Sequence, residues 1–475
     1  MGKAIWQVFL DFCTMGVLLL VGQVLRAKLK IFQKTLIPAA LLGGFIALIL
    51  GPRGYNILPL SPQFGTYASV LIVVVFAATP IGDTPNKEAL SGPVVGGMFF
   101  NLSGIAVLQY TVGMLITVYG LKYVYPDLPE QFGLMMATGF YGGHGTAAAV
   151  GKALEDMGVA NMTDLGYTCA TVGIVGGILL GILIVNWGTR KGYTHYVENP
   201  EELPIELRTG LIPEEKQHAS GRVTVSSICL DPLAFHVGLI MLASFLGYES
   251  SDLFKAFSKA TFGYGVAIPA FCLSLLWGLV INQFLNKSGT IKYCDRYSIS
   301  RIQGMSTDFL MVSGVGSLNL KVVLSYAGPL FIVCAAGFIV TWLWFIYIGG
   351  KSSRADWFER NMMVWGHASG VAATGLLLQR VVDPDLKSRG IEDSGIADIF
   401  NRPIIIGLQV IPPILMQFDA HGGAVITTWV TAAIVGIMWL AAWKFKWWVP
   451  SMKLVKYNKG VPINPYIEGQ VQKDA

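Results

Sequence analysis

Two short glycine-rich segments hold the side chains in this sequence best able to do chemistry. The first is Gly142-Gly143-His144-Gly145-Thr146, followed by a run of alanines. The second is Gly366-His367-Ala368-Ser369-Gly370, followed by Val-Ala-Ala-Thr374-Gly375. Glycine lets backbone N–H groups converge on an anion, and a threonine or serine hydroxyl can donate to a carboxylate or coordinate a hard cation. Such segments predict reversible binding of a small carboxylate. The candidate substrate-binding residues are Gly142, Gly143, His144, Gly145, Thr146, His367, Ser369, Gly370 and Arg380. Arg380 joins the set because a guanidinium fork meets a carboxylate at two points, although Asp383 and Asp385 are alternative partners for it. Lys152 is the cation that follows the first segment. For each histidine two readings stand side by side: it orients substrate or senses pH, with an ordinary pKa of about 6.5, or it ties down a loop through backbone carbonyls.

A second group of oxygens suits a coupling cation. Thr79, Asp83 and Asn86 lie in the segment from Phe76 to Asn86, and Asp308, Ser313 and Asn319 in the segment from Asp308 to Asn319. Phe76 to Phe309 and Asn86 to Asn319 share one offset, and the Gly-His pair at 143–144 returns at 366–367 with a somewhat shorter one. Similar motifs in the same order predict an internal repeat. Asp83 and Asp308 also read as helix caps, with Thr307-Asp308 opening a span. Asn101, Gln109 and Ser103 read either as polar glue between helices or as site residues, with glue the favoured role for Ser103.

The elements that position these groups are apolar. The chain has 53% hydrophobic and 13% charged residues and a mean hydropathy of +0.56. Soluble domains carry about 25% charged residues, so this composition excludes an ordinary soluble protein. A bilayer core needs about 20 mostly apolar residues per helix. Spans are predicted at 4–25, 35–51, 67–82, 93–119, 165–187, 230–247, 260–285, 303–318, 326–348, 401–417 and 421–443. Two further stretches, 130–153 and 358–382, are too polar and glycine-rich for lipid-facing spans and are predicted to be re-entrant loops. The fold class is therefore an all-α polytopic membrane protein with about 10–11 transmembrane helices.

Lysine and arginine sort by side. With residues 26–34 cytoplasmic, 26 of the 34 basic residues fall on that side and six on the other. This predicts an outside N-terminus and a cytoplasmic C-terminus, and it explains the net charge of +5 as an insertion signal, with no nucleic-acid partner. The halves then enter the membrane from opposite sides. Residues 1–187 form the first inverted repeat and 188–228 a cytoplasmic linker. Residues 229–418 form the second repeat, and 419–475 an added span and tail. Inverted-repeat transporters place substrate near the midplane at broken helices, with helix N-termini facing anions and loose carbonyls facing ions.

These motifs resemble the bacterial sodium/glutamate symporters. The likeness rests on Tyr141 to Asn186 (Gly-Gly-His-Gly-Thr-Ala-Ala-Ala, Lys152, Asn161-Met-Thr-Asp, Cys169-Ala-Thr-Val-Gly, Gly176-Gly177). It extends to Gln109, Ile37-Pro38 with Gly43-Gly44, the Phe76–Asn86 segment and Asp308–Asn319. It implies a homodimer in the bacterial inner membrane, each protomer with scaffold and transport domains, moving glutamate with Na+ by an elevator-like shift and needing no cofactor. The sequence departs from that family at Gly366–Gly370, at Arg380 and at Pro38-Ala39-Ala40, and it adds the 188–228 linker and a last span. Symport of a different carboxylate, with sodium or protons, is the alternative. A membrane enzyme or a channel is the remote one: the sequence has no H-E-x-x-H, G-x-S-x-G or P-loop motif.

Overall fold

The structure, a computed structural model, describes residues 2–82, 93–197, 205–217, 219–262, 270–353, 356–384, 387–388, 390–458 and 461–462. The first half gives α1 (Gly2–Lys28), α2 (Lys30–Thr35), α3 (Ala39–Leu50), α4 (Thr66–Ala78), α5 (Pro93–Ile116), α6 (Phe132–Phe140), α7 (Gly143–Asp156) and α8 (Met162–Arg190). The second gives α9 (Pro232–Phe262), α10 (Ala270–Lys287), α11 (Arg296–Gly316), α12 (Leu320–Ser325), α13 (Ala327–Trp344), α14 (Trp357–Val382) and α15 (Gly390–Phe418), followed by α16 (Ala420–Lys444). Each of the eleven expected spans falls, where described, on a helix. Among the described residues seven stretches are long and apolar enough to cross a bilayer, and α3 and α4 are shorter apolar helices. The chain is a multi-pass membrane protein.

Several elements of the second half lie at one interval from elements of the first. A π-helical turn at Thr117–Leu121 is matched by one at Phe345–Gly349. Helices α8 and α15 are both 29 residues long, and their first residues, Met162 and Gly390, are separated by the same interval as Thr117 and Phe345. That interval falls between the two offsets the sequence motifs offered, so neither of them describes the register. Glycine and histidine recur often enough near the breaks to offer a false match, whereas the π turns and the long helices are set by packing over many residues.

Packing sorts helices by their place within each half. Helices α1, α3 and α4 pack with α9, α10 and α11, while α5 to α8 pack with α13 to α16. The second set contains both predicted re-entrant stretches, and α7 is its main contact with α4 and α11 in the first. Outward positions on α1, including Ile5, Trp6, Phe9 and Leu20, are exposed and apolar, as lipid contact demands.

Helix α11 begins earlier than the expected span at 303. Its first turns, Arg296-Tyr-Ser-Ile-Ser-Arg301, are polar enough to hide the helix from a hydropathy reading. Asp295 is its N-cap, accepting from the Ser298 N–H, so Asp308 lies in mid-helix and the capping role expected for it is wrong. Asp295 also accepts from the backbone and side chain of Arg222 at 3.0 and 3.1 Å, and its own N–H donates to His236 Nε2. Burial pushes the Asp295 carboxyl up, but the donors from Arg222 and Ser298 outweigh it and hold the group at about 2. The 188–228 segment is thereby tied to the start of α11.

Candidate functional site

Both predicted re-entrant stretches are helices broken in the middle. In the first, α6 ends at Phe140, Tyr141 and Gly142 cross the break, and α7 starts at Gly143 with φ +64. In the second, α14 is two half-helices joined at Gly370 and Val371. Val371 has φ +74, a region β-branched residues rarely adopt and one that costs on the order of 1–3 kcal/mol. The two breaks meet. A Cβ placed on Gly143 would collide with Val371 Cγ1, so only glycine lets the first break approach the second this closely. Gly142-Gly143 and Gly370-Val371 are related by the same interval as the two π turns.

In this register Thr146 corresponds to Thr374, and Lys152 to Arg380. Thr374 is buried and donates to the Gly370 carbonyl. It was not among the candidate residues, although the pattern Gly-x-x-x-Thr at 142–146 and 370–374 carried the signal. The histidines, by contrast, are not equivalent. His144 follows the first break and its Nε2 lies 2.9 Å from the Thr171 hydroxyl on α8, which leaves its buried Nδ1 without a partner. His367 precedes the second break and stacks on Tyr141 with ring centroids 4.5 Å apart, its Nδ1 likewise buried and unpartnered. The Tyr167 hydroxyl, beside His144, is likewise buried with no partner among the described residues. Buried polar atoms without a partner among the described residues also occur away from the breaks, at Thr117 and Thr224 among others, so those three atoms do not by themselves mark a ligand site.

Ser369 is fully buried, donates to the Trp365 carbonyl at 2.7 Å and packs against Gly177, so its hydroxyl serves its own helix. Gly145 faces Ile72 of α4 and Leu310 of α11, where it admits α7. Lys152 makes an i,i+4 ion pair with Asp156 at 2.8 Å and is half exposed. Arg380 is half-buried, and its buried Nε has no hydrogen-bond partner among the described residues; Asp385, one of its expected partners, lies outside them. The expected Asp383 partner instead accepts from the backbone N–H groups of Lys387 and Ser388.

Gln109 and Asn101 do act as glue. Gln109 Nε2 donates to the Ala368 carbonyl at 2.7 Å, two positions before the break, and to Thr341 at 3.0 Å. Asn101 bonds Asn361 and Trp344. The Ser103 hydroxyl, expected to glue, has no hydrogen-bond partner among the described residues.

The described cation candidates are not brought together. Helices α4 and α11 pack antiparallel: Gln303 donates to Thr79 Oγ1 at 3.0 Å at one end, and Gly65 approaches Ser317 at the other. Ser313 lies almost three turns beyond Gln303, about 15 Å along the helix, so Thr79 and Ser313 cannot hold one ion. The carbonyls of Ala78 and Ile81 accept from Arg296 and that of Thr79 from Arg402, which puts two guanidinium groups where the ion was expected. The Ser313 hydroxyl is buried and donates to Leu310. Asp308 lies on an exposed face of α11. The Asn319 side chain caps α12 through the Lys321 N–H, and its own N–H donates to Asp164 at 3.0 Å. Asp83 and Asn86 lie outside the described residues.

Two broken helices meeting at their breaks in a polytopic membrane protein is an arrangement that secondary transporters use to bind substrate. The family model described as "Sodium/glutamate symporter" matches residues 6–375, and this chain belongs to that family. Relatives named sodium/glutamate symporter, from Escherichia coli (strain K12) and Shigella flexneri, are each 23% identical over 367 residues, covering 75% of this chain and 83% of theirs. Both breaks lie inside the family match, while Arg380, α15 and α16 lie beyond it.

Proposed function

We propose that this protein is a secondary active transporter that couples sodium entry to the uptake of glutamate or a closely similar small carboxylate. The observation that supports it most is the meeting of the two breaks at Gly143 and Val371 within the family-matched residues. The first N–H groups of a helix have no intrahelical acceptor, and the helix dipole places partial positive charge there. The N-termini of α7 and of the second half of α14 therefore offer Gly143, His144 and Gly145 on one side and Val371 to Ala373 on the other to the two carboxylates. Thr146 borders this space, and Arg380 supplies a fixed positive charge for the side-chain carboxylate.

The coupling ion sits at the opposite poles, the carbonyl ends of α6 and of the first half of α14, because half-helix C-termini carry the complementary partial negative charge. Thr79 is left out of that site, since Arg296 and Arg402 already occupy its neighbourhood. The halves are inverted repeats with the N-terminus outside the bacterial inner membrane and the C-terminus inside. Transport proceeds by alternating access, with the α5–α8 and α13–α16 set moving against the other as in an elevator. Two copies form a homodimer.

The test is uptake of radiolabelled glutamate into proteoliposomes, with and without an inward sodium gradient, challenged by a panel of carboxylates and amino acids. Saturable uptake that requires sodium and is competed by a carboxylate is expected. Uptake driven equally by a proton gradient alone would replace the coupling ion. Catalytic turnover of the substrate would replace the class.

A further inference from the structure

Separate stretches of chain meet at the start of α14: residues 192–196 just after α8, residues 356–359, and residues 455–457 of the C-terminal tail. The Tyr457 N–H donates to the Gly192 carbonyl at 2.7 Å, and the Trp357 indole N–H donates to the Val455 carbonyl at 3.0 Å. The His195 ring lies between the rings of Tyr196 and Tyr457, each 4.2 Å away. Val455 and Tyr457 are buried, so this part of the tail packs as core. The proposed topology puts the cluster on the cytoplasmic side.

Two carboxylates lie inside it, and only one is well provided for. Asp356 has a donor for each oxygen: His195 Nδ1 at 2.6 Å and the Tyr196 hydroxyl at 3.1 Å. Glu359 is fully buried. Its Oε1 accepts from the His195 backbone N–H at 2.6 Å, and its Oε2 is buried with no hydrogen-bond partner among the described residues. The nearby cations are engaged elsewhere: Lys456 lies over the Tyr193 ring and Arg360 pairs with Asp393 at 3.0 Å, while Arg354 lies outside the described residues. A buried carboxylate next to a second one is costly in its charged form. Glu359 lies outside the long apolar spans. Burial pushes its carboxyl up from 4.5 to about 8, with the His195 N–H opposing and the charges of Asp356 and Asp383 adding to the rise.

We propose that Glu359 is a proton-binding site that works the tail as a clasp: with the proton bound the tail stays closed over the start of α14, and loss of the proton opens it. The proton leaves the carboxyl for water, and the carboxylate is hydrated once His195 and Tyr457 move away. In the open state Glu359 is an ordinary solvated glutamate. Each pH unit between 4.5 and about 8 therefore favours opening roughly tenfold, and above that range the effect levels off. The clasp holds at low pH and loosens as pH rises. Opening frees the start of the helix that carries the second break. The tail lies beyond the family-matched residues, and the device needs no assumption about what is carried.

The experiment is brief trypsin treatment of the full-length protein in detergent at about pH 6 and about pH 8, the range over which the linkage acts. Lys453 and Lys456 are exposed, but cutting after them requires the strand to leave the clasp. Lys216, exposed in the linker, is the reference site that corrects for trypsin's own pH dependence. The corrected rate at the tail is expected to rise more than about tenfold from the lower pH to the higher. Glu359→Gln keeps an oxygen for the His195 N–H and has no charge to expose, so its tail should stay protected at both pH values. Its melting temperature at the higher pH should equal or exceed that of the wild type. Tyr457→Ala should release the tail at both. A wild-type tail cut at the same corrected rate at both pH values would overturn the proposal. So would a Glu359→Gln tail that opens as pH rises, or one that is cut freely throughout.

Discussion

The two helix breaks share a register but are built by different means. The first is opened by glycine, and Gly143 takes its left-handed conformation at no steric cost. The second is opened by Val371, which takes a similar φ against its own β-branched side chain, held by packing on Gly143. Their histidines also fall on opposite sides, His144 after one break and His367 before the other. What the two segments share is the place where the helix breaks, more than the residues that break it. The asymmetry makes the first break the relaxed partner and leaves the strain in the second.

The largest effect should come from Gly143→Ala. The new methyl would strain a positive φ and collide with Val371, so sodium-dependent uptake should fall more than tenfold. Melting in detergent should report a loss of about 1–3 kcal/mol. Adding Val371→Gly removes the obstructing side chain, and the double variant should recover most of the uptake. Non-additivity of this kind is the mark of residues in contact. By itself Val371→Gly should relieve the strain, leaving stability equal or higher, so a marked drop in melting temperature would end the claim that Val371 is strained.

The next comparison sets Arg380 against Lys152. They are equivalent in register, but Lys152 is already paired with Asp156, whereas the buried Nε of Arg380 has no partner among the described residues. Arg380→Gln should raise the concentration of glutamate at half-maximal uptake tenfold or more, as loss of a charge-assisted bond worth about 1.5–3 kcal/mol implies. Lys152→Gln should change it less than twofold. Equal effects would erase the distinction.

A smaller effect concerns Asp295, far from the breaks. Its carboxyl is held near 2 in the folded protein, below the ordinary value of 3.8. Its contribution to stability is present above pH 4 and is lost as pH falls from there toward 2. Asp295→Asn should therefore lower melting temperature at pH 7, and the difference from wild type should shrink below pH 4. A constant difference across that range would show that the cap's shape matters and its charge does not.

The helical architecture was legible because lipid demands long apolar runs, and Gly142-Gly143 announced a break in an otherwise continuous helix. The second break was less legible. Gly366-His367 copies the first motif more closely than Gly370-Val371 does, yet Gly366 is needed for close packing on Gly375 and sits within a regular turn. Thr374 was hidden by the same false register. The separation of Thr79 from Ser313 was hidden for another reason: hydroxyl and amide side chains mark oxygen donors, but only the antiparallel packing of α4 and α11 shows that these two lie at opposite ends.

The most direct measurement is equilibrium binding of radiolabelled glutamate to the purified wild type, to Gly143→Ala and to Gly143→Ala with Val371→Gly, each with and without sodium. If the two breaks form one site, the wild type binds glutamate only with sodium, the single variant loses binding while remaining folded, and the double variant regains it. Undiminished binding by folded Gly143→Ala would place the substrate elsewhere in the protein.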